Sequence, residues 1–434
     1  MKSKRIFQRL LAAVLLPCLL AGCGTSPPPQ EAEDQWDPAL AHVLGLSQEQ
    51  RLEDYDYLVE TLGSSYLCMG VRDRENPDDL SAGIFQEYRD MIAGSDSDEA
   101  FYSAVYSTLF RLGTYGHLWI VEPEEYQAYL EAYQSDELED RAHWREVLTS
   151  PVTQTGYENL QKLLDAYGGE DVSTPSAPGA EDANLTTLLL PGEAIGYIKI
   201  DGFPASYEPA YAAEREDLLA FYDTLGACTD LIIDITGNSG GSEQYWQELL
   251  VAPLIDQPLS CMNYALLADS DNNRPYIDDA FAPEMLHPIA DLPELPALNQ
   301  EGLAAATHYV ESPLSVEPAA ERSPFHGRVW VLVGEQVYSA SESFAVFCKE
   351  TGFATLVGSQ TGGDGIGALD PIFLQLPNSG LLVQFTMMFG LNTDGSSSEE
   401  AGTTPDLLSP GTEPPLITAL RAIRETARRE KPPS

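Results

Sequence analysis

The 434-residue sequence predicts an α/β domain preceded by a small helical domain. Three observations carry this. From Ala194 onward, short runs rich in Val, Ile and Leu alternate with segments of helical period. That is the pattern of largely parallel strands joined by helical crossovers. Upstream, apolar residues recur three and four apart, at Tyr55, Leu58, Val59 and Leu62 and again at Phe101, Val105, Tyr106 and Leu109. Residues 168–182, rich in Gly, Ser, Pro and acid, read as a linker between the two regions.

The elements follow in chain order. Lys2, Lys4, Arg5 and Arg9 precede the apolar run Leu10–Leu20, a signal segment too short to span a bilayer. Leu20-Ala21-Gly22-Cys23 is similar to a bacterial lipoprotein cleavage site. Cleavage there leaves Cys23 at the N-terminus with lipid on its sulfur. Residues 23–43 then form a tether, with three consecutive prolines. Residues 44–117 form the helical domain, broken by a polar loop at Asn76-Pro77-Asp78 and ending near Gly116-His117. Residues 118–190 continue with helices, carrying Tyr126, Leu130 and Tyr133 on one stripe, and then the linker. The α/β domain spans 191–415. Its expected strands are Tyr197–Ile200, Leu231–Ile235, Val329–Val333, Ala354–Val357 and Leu381–Phe385, and its expected helices are Pro209–Leu225, Glu243–Leu250 and Glu342–Thr351. Residues 256–324 read as a proline-rich, irregular insertion able to roof a cleft. Residues 416–434 hold a short amphipathic helix and a tail.

Charge narrows the partners. The chain has 68 acidic and 23 basic residues, a net charge of −45. Loss of residues 1–22 takes four basic and no acidic residues, moving −45 to −49. Nucleic acid is excluded as a partner, and so is charge-driven binding to an anionic membrane. Cationic substrates are favoured by steering, although a solvated acidic surface accounts for most of the charge. Without Cys18 and the lipidated Cys23, four cysteines remain, Cys68, Cys228, Cys261 and Cys348, and no pair has metal-ligand spacing. Cys348 falls on the apolar side of a helix and reads as a small core residue.

Four segments carry chemistry. In Glu335-Gln-Val-Tyr-Ser339-Ala340-Ser341-Glu342, a strand leads in and a helix leads out. Ser339 therefore sits on a sharp strand-to-helix turn, where its hydroxyl is exposed and the next N–H groups are free. That is what a serine nucleophile needs. Ser341 is the rival, although a turn serine is most often an N-cap. Asn238-Ser239-Gly240-Gly241 follows a buried strand, and its glycines allow backbone N–H groups close to a ligand or simply shape the turn. The third segment is Gly358-Ser-Gln-Thr361-Gly362-Gly363-Asp364-Gly365 and the fourth Gly402-Thr-Thr-Pro405-Asp406. Among the six histidines, His117 stands in Gly116-His117-Leu118. His42, His143 and His326 have no motif around them, and His287 and His308 fall in the insertion. Histidine is the natural base near neutral pH.

Taken in chain order, the Asn238–Gly241 loop, the Ser339 run and Gly402–Asp406 resemble the tail-specific (C-terminal processing) and tricorn-type serine peptidase family, from about Leu44 to Leu407. The resemblance implies a crotonase-like spiral of ββα units, a peptide or protein substrate and no metal or organic cofactor. It implies Ser339 as nucleophile and an oxyanion hole from the Ala340 N–H with that of Gly240 or Gly241. Many such proteases insert a PDZ domain, but no Gly-rich carboxylate-binding loop is present here and none is expected. The processing branch places a lysine where this chain has Asp364, so a Ser–Lys dyad is not expected. The tricorn-like branch uses a histidine at the position of His117 and a downstream glutamate, for which Glu400 is preferred over Glu399. Asp364 is the alternative partner for the base. That branch has a serine where Gly116 stands, which leaves a Ser–His core. The expectation is a lipid-anchored, extracytoplasmic serine endopeptidase. A catalytically silent peptide-binding lipoprotein and a crotonase-like acyl-CoA enzyme are the rivals, the latter disfavoured outside the cytoplasm.

Overall fold

The structure, a computed structural model, describes residues 42–113, 115–134, 141–167, 183–301, 303–366 and 371–430. The signal segment, Cys23, most of the tether and the linker 168–182 lie outside the described residues.

A six-stranded sheet organises the α/β region. Leu407–Leu408, Thr355–Gly358, Arg328–Val333, Asp230–Asp234 and Ile195–Ile200 lie side by side in parallel, and Leu185–Leu189 closes one edge antiparallel. Every residue of Asp230–Asp234 is buried, as a central parallel strand covered on both faces requires. On one face, Ile198, Leu231, Ile233, Val331 and Val333 pack with Leu218 and Phe221 of helix Pro209–Tyr222 and Phe344 and Phe347 of helix Ala340–Thr351. On the other, Ile232, Trp330 and Leu332 meet Ala419 and Ile423 of helix Pro415–Glu430. The expected strands at 197–200, 231–235, 329–333 and 354–357 are thus found within a residue or two of their expected bounds.

Two expectations need correction. The insertion 256–324 is not irregular. It contains strands Leu259–Leu267 and His308–Val316, paired antiparallel over nine positions. Their partners are distant in sequence, so no local hairpin signal announces them, and Pro313 inside the second disguises it. Proline is tolerated there because the strand has no neighbour beyond Tyr309 on its outer side. Strand Leu382–Phe385 does not join the parallel sheet. It pairs antiparallel with Ile372–Gln375 and with Trp119–Ile120. That pairing fastens the segment just after His117 to the second half of the chain.

The N-terminal helices Gln48–Ser65, Ser81–Ala93 and Asp98–Leu112 pack through Tyr55, Leu58, Leu62, Ile84, Phe101 and Val105. Ser47 caps the first with a reciprocal box: its Oγ accepts from Gln50 N at 3.2 Å, and Gln50 Oε1 accepts from Ser47 N at 3.0 Å. Under these helices lies a fully buried ion pair. Arg51 Nε donates to Asp98 Oδ1 at 2.9 Å, while Asp98 Oδ2 accepts from Leu44 N and Gly45 N at 2.7 and 3.0 Å. Asp98→Ala would strip the buried guanidinium of its buried carboxylate and leave it only the exposed Asp96, 3.1 Å from Nη1, so the variant is expected to lose about 3 kcal/mol of stability, read by urea denaturation.

Candidate active site

The strand Arg328–Val333 ends at Gly334, and Val337 N donates back to Gly334 O at 3.0 Å. This tight return delivers Ser339 to the N-terminal end of helix Ala340–Thr351 with φ 57° and ψ −126°. Its side chain makes no capping hydrogen bond and remains part-exposed. Ser341 is fully buried, with its Oγ donating to Asn238 O at 2.7 Å and close to Tyr338 O at 3.0 Å. It is neither an N-cap nor an open nucleophile; it ties the serine turn to the glycine loop.

Among the described residues, three non-glycine positions have positive φ: His117, Ser339 and Asp364. Such backbone costs roughly 1–3 kcal/mol per residue and persists only where surrounding structure enforces it. Here the three converge. Ser339 N donates to Gly363 O at 3.1 Å. The next residue, Asp364, is buried and its Oδ2 pairs with His117 Nδ1. Tyr338 donates its hydroxyl to the same Oδ2 at 3.3 Å, and its ring centroid lies 5.2 Å from that of His117. A carboxylate on Nδ1 holds the proton there and leaves Nε2 to accept one.

Glycines bring the upstream loop against this turn. A side chain on Gly240 (φ 114°) would meet Tyr338 O at 2.8 Å, Ser339 Cβ at 3.0 Å and Ala340 N at 3.1 Å. Asn238 shapes the loop, its buried Oδ1 accepting from Gly240 N at 2.8 Å. Phe203 completes it, donating N to Gly240 O at 2.9 Å and accepting from Ser242 N at 2.8 Å. These bonds occupy the Gly240 N–H. The Gly241 and Ala340 N–H groups have no acceptor among the described residues.

The model of peptidase family S41 matches residues 194–409. The chain belongs to peptidase family S41. It is a serine-type peptidase. The matched segment contains the glycine loop, Ser339 and Asp364, and His117 precedes it. Similar solved structures include a candidate peptidase from Parabacteroides merdae (17% identity, TM-score 0.49, 84% of this chain and 90% of that one). They also include the photosystem II D1 C-terminal processing protease (16%, 0.40, 84% and 94%) and a lipoprotein from Streptococcus agalactiae (12%, 0.40, 83% and 97%). No curated protein matches the chain.

In this family S41 peptidase the downstream glutamates are placed oppositely to expectation. Glu400, expected beside the base, instead pairs through Oε1 with Arg74 and accepts through Oε2 from Asn299 at 3.3 Å. Glu399 is the buried one. It hydrogen-bonds to Asp364 and accepts from the Gly116 N–H. Burial, and then the Asp364 charge, push its carboxyl well above the usual range. Gly116 (φ 53°) leaves no room for the serine of the tricorn-like pattern. A Cβ there would lie 2.8 Å from both Cys68 Sγ and Thr386 Cγ2. Lys349 is engaged elsewhere, with Asp406 Oδ1 at 2.7 Å. Among the described residues no group of His, Cys, Asp and Glu is arranged to hold a metal ion.

Sequence reasoning missed Tyr338 and the Asn238 side chain as parts of this site; their adjacency to Ser339 and Gly240 was the available signal. It also missed Glu342, one turn into the serine helix. Its Oε1 accepts from Thr403 Oγ1 at 2.6 Å, its Oε2 has no partner among the described residues, and burial pushes it up to about 7. A carboxyl raised on folding stabilises fully below its unfolded value of about 4.3 and loses that contribution as pH rises through 7. Glu342→Gln is therefore expected to flatten the decline in Tm between those pH values, which a melting series of variant and wild type reads directly.

Proposed function

We propose that the protein is a lipid-anchored, extracytoplasmic serine endopeptidase working through Ser339, His117 and Asp364. The observation that carries this is the His117–Asp364 pair, joined to the serine turn by the Ser339 N–Gly363 O bond. Ser339 Oγ attacks the peptide carbonyl carbon while His117 Nε2 takes the hydroxyl proton. The oxyanion is held by the N–H groups of Ala340 and Gly241, donors each worth about 3 kcal/mol. Collapse breaks the C–N bond, with His117 returning the proton to the leaving amine. Water, deprotonated by His117, then hydrolyses the acyl-enzyme. Asp364 takes the place of the family lysine not as a base but as the group that orients one. Glu399, buried and hydrogen-bonded to it, backs Asp364. This reading includes the crotonase-like spiral and the absence of a cofactor. Ser341→Ala is expected to keep substantial activity, measured on a fluorogenic peptide library, since its hydroxyl faces the loop and not the substrate.

Ser339 Oγ makes no hydrogen bond to His117 in the structure. Such bonds are commonly loose in unliganded enzymes and tighten on binding. The same observation favours a second reading, a silent peptide-binding lipoprotein. Fluorophosphonate labelling separates the two: a label on Ser339 requires an activated serine, and its absence with retained peptide binding sinks the peptidase mechanism.

Anchoring follows from Leu20-Ala21-Gly22-Cys23. No helix among the described residues is long and apolar enough to cross a membrane. Cys23→Ser is expected to release the protein from the membrane fraction or block its processing, read by fractionation and mass spectrometry. A variant cut and retained like wild type would remove this anchor.

A further inference from the structure

A cavity of about 260 Å³ is lined in part by residues that follow Asp364 and Gly241 in the chain. Gly365 and Ile366, directly after Asp364, form one wall, and Glu243, two residues past Gly241, forms another. Gly365 packs on the first turn of the serine helix, where a Cβ would lie 2.7 Å from Glu342 Cγ and 2.9 Å from Ser343 N. The cavity thus stands between the glycine loop and the partner of the base, over the helix that begins after Ser339.

Its lining has a definite chemistry. Phe281, Met285, Leu314 and Met388 make apolar walls. The strand pair adds Asn263, which faces the same side as Val310, Ser312 and Leu314 through the register Asn263↔Ser312 and Cys261↔Leu314. Asn263 is fully buried, and its Oδ1 has no hydrogen-bond partner among the described residues. Glu311, which also lines the cavity, alternates onto the opposite, exposed side of the strand. Glu243 is the carboxylate that faces inward. No Lys, Arg or His pairs with it among the described residues, and its polar neighbour is the neutral Ser343 hydroxyl. A buried orphan acceptor and a carboxylate lacking a cation, lining one cavity with apolar walls, are both suited to the same ligand: a long aliphatic stem tipped with a cationic donor.

We infer that this cavity is a specificity pocket for a lysine or arginine side chain, with Glu243 and Asn263 Oδ1 receiving its charged head. The placement relative to the scissile bond rests on the peptidase reading above; recognition of the basic side chain does not.

The test uses two arms at 150 mM salt, where the general acidic field is screened beyond about 8 Å. In the first, fluorescent peptides differing only in lysine, arginine or norleucine bind Ser339→Ala protein. The basic peptides are expected to bind tighter by on the order of 10-fold or more, and Glu243→Gln on that background erases the preference. Equal or tighter binding of the norleucine peptide, or a preference that survives Glu243→Gln, overturns the pocket. In the second arm, kcat/KM is compared for substrates carrying the same three residues before the scissile bond, as the basic-to-norleucine ratio in wild type and Glu243→Gln. Cleavage that favours norleucine overturns the pocket while leaving the peptidase standing. A basic preference in binding, with neither cleavage nor fluorophosphonate labelling, upholds the pocket and removes the peptidase reading.

Discussion

Ser339→Ala is expected to abolish peptide cleavage, lowering kcat by on the order of 10⁶, as loss of a nucleophile does elsewhere, while the protein melts at the wild-type temperature. Both halves follow from the surroundings of the hydroxyl. Ser339 Oγ is part-exposed and caps nothing, so its removal strands no buried partner and opens no cavity. Ala340 and Gly241 keep their free N–H groups, which accounts for whatever residual rate remains. Ser341 makes the opposite case. Its buried hydroxyl joins Asn238 and Tyr338, so Ser341→Ala is expected to lose about 1–3 kcal/mol of stability and to retain the nucleophile. Fluorogenic-peptide kinetics with thermal melts on both variants check the pair; an inactive Ser341→Ala beside an active Ser339→Ala would invert the assignment.

Asp364→Asn is expected to lower kcat by about 10⁴-fold with little change in fold. Asparagine tolerates the positive φ of 56° at this position, so the turn survives. An amide cannot fix the proton on His117 Nδ1 as a carboxylate does, and the imidazole then presents the wrong tautomer or a tilted ring; loss of this partner costs about four orders of magnitude in serine peptidases. Glu400→Gln serves as the contrast. Glu400 is occupied with Arg74 and Asn299, and its change is expected to leave kcat within about two-fold, in line with an ordinary surface substitution. Steady-state kinetics on the two variants separate a base oriented by Asp364 from one oriented by Glu400.

The contrast also shows where sequence reading stops. The strand leading to Ser339, its turn and the glycine loop are local patterns, and all were legible. Asp364 was visible as an acid at a lysine position, but its meaning depended on His117, which a strand pairing at Trp119–Ile120 holds in place from far upstream. Glu399 and Glu400 are adjacent on the short helix Ser398–Ala401. Neighbours on a helix point about 100° apart, so one faces the buried site and the other Arg74, and nothing in the motif says which. The strands Leu259–Leu267 and His308–Val316 were hidden for a related reason: their stabilisation comes from each other and from burial, not from any signal within either segment.

The most direct test of the account is fluorophosphonate labelling followed by peptide mapping, in wild type, His117→Ala and Asp364→Asn. The account predicts a single modified serine, Ser339, with labelling abolished in His117→Ala and slowed strongly in Asp364→Asn. Labelling at another serine, or at an undiminished rate in His117→Ala, would contradict it.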